Sequence, residues 1–203
     1  MWIYEKRWFT TTCILGKWWI FWTSCFKVWG DVKLSVLSDK KYGNANSIFV
    51  FGNDVYICGI SKNSSEEHIA CYWKNGEIIP LLPSDPDYEF RANSIFISGK
   101  DVYIGGYLSY RYSIFSAPFS SIIACYWKNG EWISLKPIDN KKYSKVNSIF
   151  VYGNDVYAGG YCDNSDGDTI PGYWKNGEWV GFNAKGGNDP VSSIVVVPRP
   201  TGQ

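Results

Sequence analysis

The sequence predicts an all-β protein built from repeated four-stranded antiparallel units. Three observations carry that expectation. Asn46-Ser47-Ile48-Phe49 returns at Asn93–Phe96 and again at Asn147–Phe150, at offsets of 47 and 54 residues. Tyr-Trp-Lys-Asn-Gly-Glu stands unchanged at Tyr72–Glu77, Tyr126–Glu131 and Tyr173–Glu178. Aromatic residues make up 18% of the 203 residues, a composition that suits pleated, half-buried strands, and no segment shows a convincing helical period. Recurrence at roughly 50 residues marks a repeat architecture in which each copy is one supersecondary unit.

Each copy reads as four strands. Ile48 to Phe51 is a short β-rich run closed by Gly52-Asn53-Asp54, and Val55 to Ile57 returns through that hairpin. After a segment that varies between copies, Ile69 to Trp73 forms the third strand. Lys74-Asn75-Gly76 is its turn, because Asn-Gly accepts the positive φ that a tight hairpin needs. Glu77 to Leu82 is the fourth strand, followed by a linker containing Pro and Asp. Residues 46–60 and 147–161 agree at eleven of fifteen positions, so the copies share one conformation. The repeats span about 46–92, 93–146 and 147–191. Val32 to Leu37 resembles a lone fourth strand, and residues 192–197 resemble a lone first strand, for fourteen strands in all. Residues 198–203 form a tail.

The glycine doublets and aromatic spacing carry a resemblance. Asp101-Val102-Tyr103-Ile104-Gly105-Gly106-Tyr107 and Asp155-Val156-Tyr157-Ala158-Gly159-Gly160-Tyr161 are similar to the kelch pattern of an apolar strand ending in Gly-Gly. Tyr126 and Trp132, like Tyr173 and Trp179, resemble the kelch Tyr…Trp pair. The first copy departs, with Cys58-Gly59 for the doublet and Ile78 for the tryptophan. The chain also resembles uncharacterised bacterial secreted or lipoprotein-like proteins with Tyr-Trp-Lys-Asn-Gly repeats. Over residues 29–197 the resemblance implies a kelch-like β-propeller and no particular activity. Gly105, Gly106, Gly159 and Gly160 would allow close backbone approach, and Trp73, Trp127 and Trp174 are part of the structural repeat, its tyrosines and tryptophans filling the space between sheets. Three full repeats fall short of the four to eight blades of common propellers. The ring is then completed by a homodimer, thinned to a fourth blade made of the flanking strands, or left open. A β-trefoil is the alternative architecture.

Residues 1–25 differ from the rest. Lys6-Arg7 precede a largely apolar stretch from Trp8 to Trp22, interrupted by Lys17, and Thr23-Ser24-Cys25 follows. This order reads as an export signal, with Cys25 as a lipidation candidate in a loose bacterial lipobox. The chain would then be exported or envelope-associated in a bacterium and reach a membrane only through that lipid. An aromatic N-terminal strand on a cytoplasmic protein is the alternative. The stretch is too short for a membrane span.

Composition and motifs exclude several chemistries. The net charge of +1 has no footprint for nucleic acid. Six cysteines without a CxxC pair, and the single histidine His68, supply no zinc set, so no metal and no cofactor is expected and the thiols read as free. Asp54, Asp101 and Asp155 occupy equivalent turns, where acids bond local backbone donors, and Glu77, Glu131 and Glu178 follow Asn-Gly. His68 reads as a surface residue. Asp163 to Asp168 reads as a hairpin loop rather than a calcium site. Residues 61–68, 108–121 and 162–171 vary most, and variable loops on a rigid scaffold carry binding. Tyr107, Tyr110, Arg111, Tyr112, Phe115 and Phe119, in or beside the longest of them, are the candidate anchors for a protein or glycan partner. The expected function is a non-catalytic binding module. Lectin-like carbohydrate binding and a propeller-based glycoside-active enzyme are the alternatives.

Overall fold

The computed structural model describes residues 34–38, 42–83, 87–110, 122–138, 143–182 and 189–198. Within them the chain forms twelve strands and no helix. The first sheet contains β1 (Gly43–Phe51), β2 (Asp54–Lys62), β3 (His68–Lys74) and β4 (Glu77–Pro80). The second contains β5 (Tyr88–Ser98), β6 (Asp101–Tyr110), β7 (Ile122–Lys128) and β8 (Glu131–Ser134). The third contains β9 (Ser144–Tyr152), β10 (Asp155–Asp163), β11 (Thr169–Lys175) and β12 (Glu178–Gly181). Each sheet is a four-stranded antiparallel meander in chain order. The sheets are joined by side chains and apolar packing and share no ladder, which gives a propeller-like row whose ring is not closed.

The first three strands of the first sheet run longer than the sequence pattern suggests, the first because a β-bulge lets linker residues join it, whereas the fourth ends at Pro80 rather than Leu82. In β1 the register passes from Ala45↔Gly59 to Ser47↔Cys58 and leaves Asn46 unpaired. Asn93 and Asn147 are bulged in the same way. A bulge turns one residue out of the ladder, and here that residue reaches the next sheet. Asn46 Nδ2 donates to Ala92 O at 2.7 Å, Asn93 Nδ2 to Val146 O at 2.7 Å, and Asn147 Nδ2 to Val191 O at 2.9 Å. The following serine completes the clasp. Ser47 Oγ accepts from Ile95 N–H at 3.3 Å, and Ser94 Oγ from Ile149 N–H at 3.1 Å. The phenylalanines of the motif stack between sheets, with Phe49–Phe96 and Phe96–Phe150 ring centroids each 4.7 Å apart. Asn-Ser-Ile-Phe is therefore the seam between sheets.

The two glycines of the doublet act on different neighbours. A Cβ on Gly59, Gly106 or Gly160 would lie 1.8–1.9 Å from the carbonyl oxygen of Asn44, Arg91 or Lys145, inside the same bulge. No side chain fits there. A Cβ on Gly105 would instead meet the next sheet, at Val146 and Ile149, and one on Gly159 the segment that follows the third sheet, at Val191 and Ile194. The first copy can place Cys58 at this position because Ala92, smaller than Val146, lies in the same cluster.

Tryptophan and leucine close the other seam. Trp73, Trp127 and Trp174 are buried at 0–1% exposure. Leu81, directly after β4, is buried in one cluster with Trp127, and Leu135, directly after β8, with Trp174. Leu34 meets Trp73 in the same relation. The indole N–H of Trp73 donates to Ser35 O at 2.7 Å and that of Trp174 to Lys136 O at 2.9 Å. Burying each leucine contributes about 1.5–3 kcal/mol, and the indole bond removes the penalty of a buried donor. By contrast Trp132, the expected partner of Tyr126, is 45% exposed and does not fill a seam.

The flanking segments are irregular where lone strands were expected at 32–37 and 192–197. Residues 34–38 and 189–198 bond to the neighbouring sheet through Ser35, Leu37, Val191 and Ile194, and no ladder defines them as strands. Cys58, Cys71, Cys125 and Cys162 are free and buried, and burial pushes their thiols up, that of Cys162 to about 12. Cys13 and the lipidation candidate Cys25 lie outside the described residues.

Asn93→Ala removes one clasp and leaves the Val146 carbonyl without its donor. It is expected to lower stability in urea unfolding by about 1–2 kcal/mol. Gly106→Ala forces a methyl group against backbone and is expected to lower it by about 3 kcal/mol or more.

Candidate binding site

The two ends of the sheets differ in chemistry. At one end lie the tight turns joining first to second and third to fourth strands. There Asn75, Asn129 and Asn176 adopt positive φ of 52–53°, and the glycine after each follows at 86–92°. Each asparagine serves two partners. Its Oδ1 accepts the amide of Val55, Val102 or Val156 at 2.8–2.9 Å. Its Nδ2 donates to Asp54, Asp101 or Asp155 at 2.7–2.8 Å. The other oxygen of each aspartate pairs with Lys74, Lys128 or Lys175 at 3.1, 3.1 and 2.8 Å. Each lysine also lies over Tyr56, Tyr103 or Tyr157, 5.4–5.5 Å from the ring centroid. The aspartates thus bond side chains of the neighbouring turn rather than local backbone, a correction to the sequence reading. These bonds hold the three carboxyls below the usual range; for Asp54 and Asp101 the asparagine is the largest cause, for Asp155 the lysine. The repeated acids are turn locks.

At the opposite end the copies diverge, and an open cavity of about 570 Å³ lies between the second and third sheets. Ser109 of β6 and Ile122 of β7 form one wall. Tyr143, Tyr161, Asp163 and Thr169 form the other, and Pro190 borders it. Strand alternation places Tyr161 and Asp163 of β10 on one face. Thr169 Oγ1 donates to Asp163 Oδ1 at 2.9 Å. Burial raises the Tyr161 phenol, and nearby Asp163, Tyr107 and Tyr143 raise it further. A crevice with tyrosine rings, a carboxylate and hydroxyls offers flat apolar faces beside directional acceptors and donors. Such a set has the chemistry to orient a small polar ligand.

The corresponding crevice between the first and second sheets is filled differently. His68 is half-buried there. Arg91 Nη2 lies 3.4 Å from its Nδ1, and its ring centroid is 5.6 Å from that of Tyr42. Arg91 also pairs with Glu89, two residues before it on β5. Burial, then Arg91, lowers the His68 basicity.

The anchors expected from sequence fall in three places. Tyr107 lies within β6, with Lys145 Nζ 5.1 Å from its ring centroid, and so borders the second crevice. Tyr110 ends β6. Arg111, Tyr112, Phe115 and Phe119 lie outside the described residues. Tyr143, Tyr161, Asp163 and Thr169 were missed as a group. A signal for Asp163 and Thr169 was available: positions 62, 109 and 163 are equivalent, as are 68, 122 and 169, and each of these sets carries three different residues, whereas Tyr161 repeats Tyr107 where the first copy has Ile60. The Asp163–Asp168 loop is held by Asn164, whose Oδ1 accepts the amides of Asp166 and Asp168 at 3.0 and 2.8 Å. Among the described residues no three metal-ligating side chains stand together.

No family model matches the chain, and no curated protein matches it in sequence. Among solved structures it is similar to a fucose lectin from Kordia zhangzhouensis in complex with methyl-fucoside, at 12% identity and a TM-score of 0.45, covering 70% of this chain and 99% of that one.

The turn locks predict a pH dependence with a fixed sign. A carboxyl held below its unfolded value of 3.8 stabilises the fold above that value, and the contribution is lost as pH falls through the folded pKa. In thermal melts from pH 7 to pH 2, the Asp54→Asn, Asp101→Asn, Asp155→Asn triple variant is expected to show a flatter decline below pH 4 than the parent. Parallel declines would remove the turn locks from the account of acid stability.

Proposed function

We propose that the chain is a non-catalytic binding module on a kelch-like β-propeller scaffold, and that it binds at the crevice between the second and third sheets. One observation carries this reading. The aspartate, lysine and asparagine common to all copies bond to one another at the turn end, whereas the combination of Tyr143, Tyr161, Asp163 and Thr169 that lines an open cavity at the other end occurs in the third copy alone. Identical residues maintain a fold, and unlike residues on that fold distinguish ligands. Glycoside hydrolysis uses two carboxyls about 5–10 Å apart across the scissile bond. Of the described residues lining this cavity, Asp163 is the one acid.

The cavity chemistry favours a glycan over a protein surface. Tyr143 and Tyr161 supply ring faces for the apolar side of a sugar, and Asp163 with Thr169 supplies partners for its hydroxyls. A protein partner is the second reading, through Tyr107 and the residues of segment 111–121.

Purified chain presented to an array of neutral and acidic glycans is expected to bind a restricted set. Tyr161→Ala is expected to weaken that binding by about tenfold or more while leaving the thermal midpoint within a few degrees. Silence across the array rejects the glycan. Release of a shortened sugar, read by mass spectrometry, rejects the non-catalytic reading.

A further inference from the structure

The crevice between the first and second sheets carries a charged set that the other crevice lacks. By register, Lys62 and His68 of the first sheet stand where Ser109 and Ile122 stand in the second. Glu89 and Arg91 of β5 stand where Tyr143 and Lys145 stand at the start of the third sheet. Two cations, a carboxylate and an imidazole therefore meet where the second crevice has a serine, an isoleucine, a tyrosine and a lysine. Arg91, Glu89 and Lys62 are all close enough to His68 to act on its ring electrostatically.

The bonding within this set is incomplete. Arg91 Nη2 is held by Glu89 and lies 3.4 Å from His68 Nδ1. A guanidinium only donates, so Nδ1 accepts and the imidazole is neutral. Glu89 and His68 thus orient the guanidinium through one nitrogen. The other, Arg91 Nη1, is buried and has no hydrogen-bond partner among the described residues. A buried N–H without an acceptor is rare in a folded chain and costs free energy, so it marks a place where a further acceptor belongs. The Arg91 side chain as a whole is 25% exposed, and a ligand can reach it. Lys62, directly across the ladder from His68, pairs with Glu66 at 3.2 Å. Glu66 is 48% exposed, and an exposed pair of this kind contributes little, so Lys62 is available to a competing anion.

We propose that this crevice is an anion site that takes a carboxylate-bearing small molecule, seated on Arg91 Nη1 and drawn by Lys62. Hydrogen bonds between charged partners are about twice as strong as neutral ones, which suits a donor already stripped of water. Charge selects the class. Against Lys62 and Arg91 stand Glu89 within the crevice and Glu66 at its rim. A ligand that draws Lys62 away from Glu66 meets a surplus of one positive charge, which matches a single carboxylate and not a phosphate dianion. The site is separate from the cavity between the second and third sheets and does not depend on what binds there.

Titration of the full chain, followed by two-dimensional proton–nitrogen NMR, tests this with acetate, glucuronate, methyl glucoside and inorganic phosphate as probes. Acetate and glucuronate are expected to compete for one site, to move the Arg91 guanidinium signals and the Lys62 and His68 amides, and to bind more weakly as sodium chloride is raised. Arg91→Lys keeps the charge but loses the directed N–H groups, and is expected to weaken both carboxylates by about tenfold or more. Lys62→Ala removes an accessible side chain and is expected to weaken them by about threefold or more. Thermal melts of each variant report folding; if Arg91→Lys unfolds, Lys62→Ala decides. Tyr161→Ala is expected to leave carboxylate binding unchanged, so the two crevices are judged separately. The proposal is overturned if neither carboxylate shifts these signals, if methyl glucoside or phosphate binds as tightly as glucuronate, or if folded Arg91→Lys or Lys62→Ala binds like the parent.

Discussion

The clasp from one sheet to the next is the constraint on which the structure depends. A four-stranded meander has two apolar faces and cannot bury both alone. The sheets share no ladder, so backbone hydrogen bonding does not set their relative position. A bulged asparagine and its serine set it instead, each bonded to backbone of the next sheet. A net contribution of about 1 kcal/mol per bond is small beside the apolar burial at each seam. Burial, however, tolerates sliding, and a hydrogen bond of 2.7–2.9 Å to one named carbonyl does not. Packing supplies the energy of association and the clasp supplies its register.

The rest follows from that register. Close approach at the bulge forces glycine at 59, 106 and 160, and approach between sheets forces a small residue at 58, 105 and 159. Trp127 and Trp174 then meet the leucine that follows the preceding sheet, and Trp73 meets Leu34. The turn end is stiffened by an aspartate, lysine and asparagine that recur in every copy. The opposite end is released from these requirements and differs from copy to copy. The scaffold is thus regular along its seams and variable where a ligand can enter.

Much of this was readable before any coordinates, and the remainder was hidden for physical reasons. The aromatic composition, the Asn-Gly turns and the three copies were enough for an all-β repeat of hairpins, because hairpins are local. The meaning of Asn-Ser-Ile-Phe was not readable, since the partner of each asparagine is 44 to 53 residues away in another copy. First strands came out too short because a bulge breaks the alternation that marks a strand, and Gly43 to Ser47 passed for linker. The aspartates were read as turn residues, but their bonds cross to a second turn 21 to 28 residues on. Tyr161 and Asp163 escaped notice as a site because they sit within a strand, while Tyr143 and Thr169 come from either side of it.

Each clasp also has a direction: the asparagine and serine side chains come from the earlier sheet, and the backbone carbonyl and amide they bond come from the later segment. A newly synthesised copy therefore offers backbone groups to side chains already made, so assembly can proceed in the order of translation. The same polarity means that a duplicated stretch of gene, inserted whole, brings both clasping side chains for its successor and backbone partners for its predecessor. Lengthening such a protein requires no redesign of existing junctions, which accounts physically for how closely its three copies still agree.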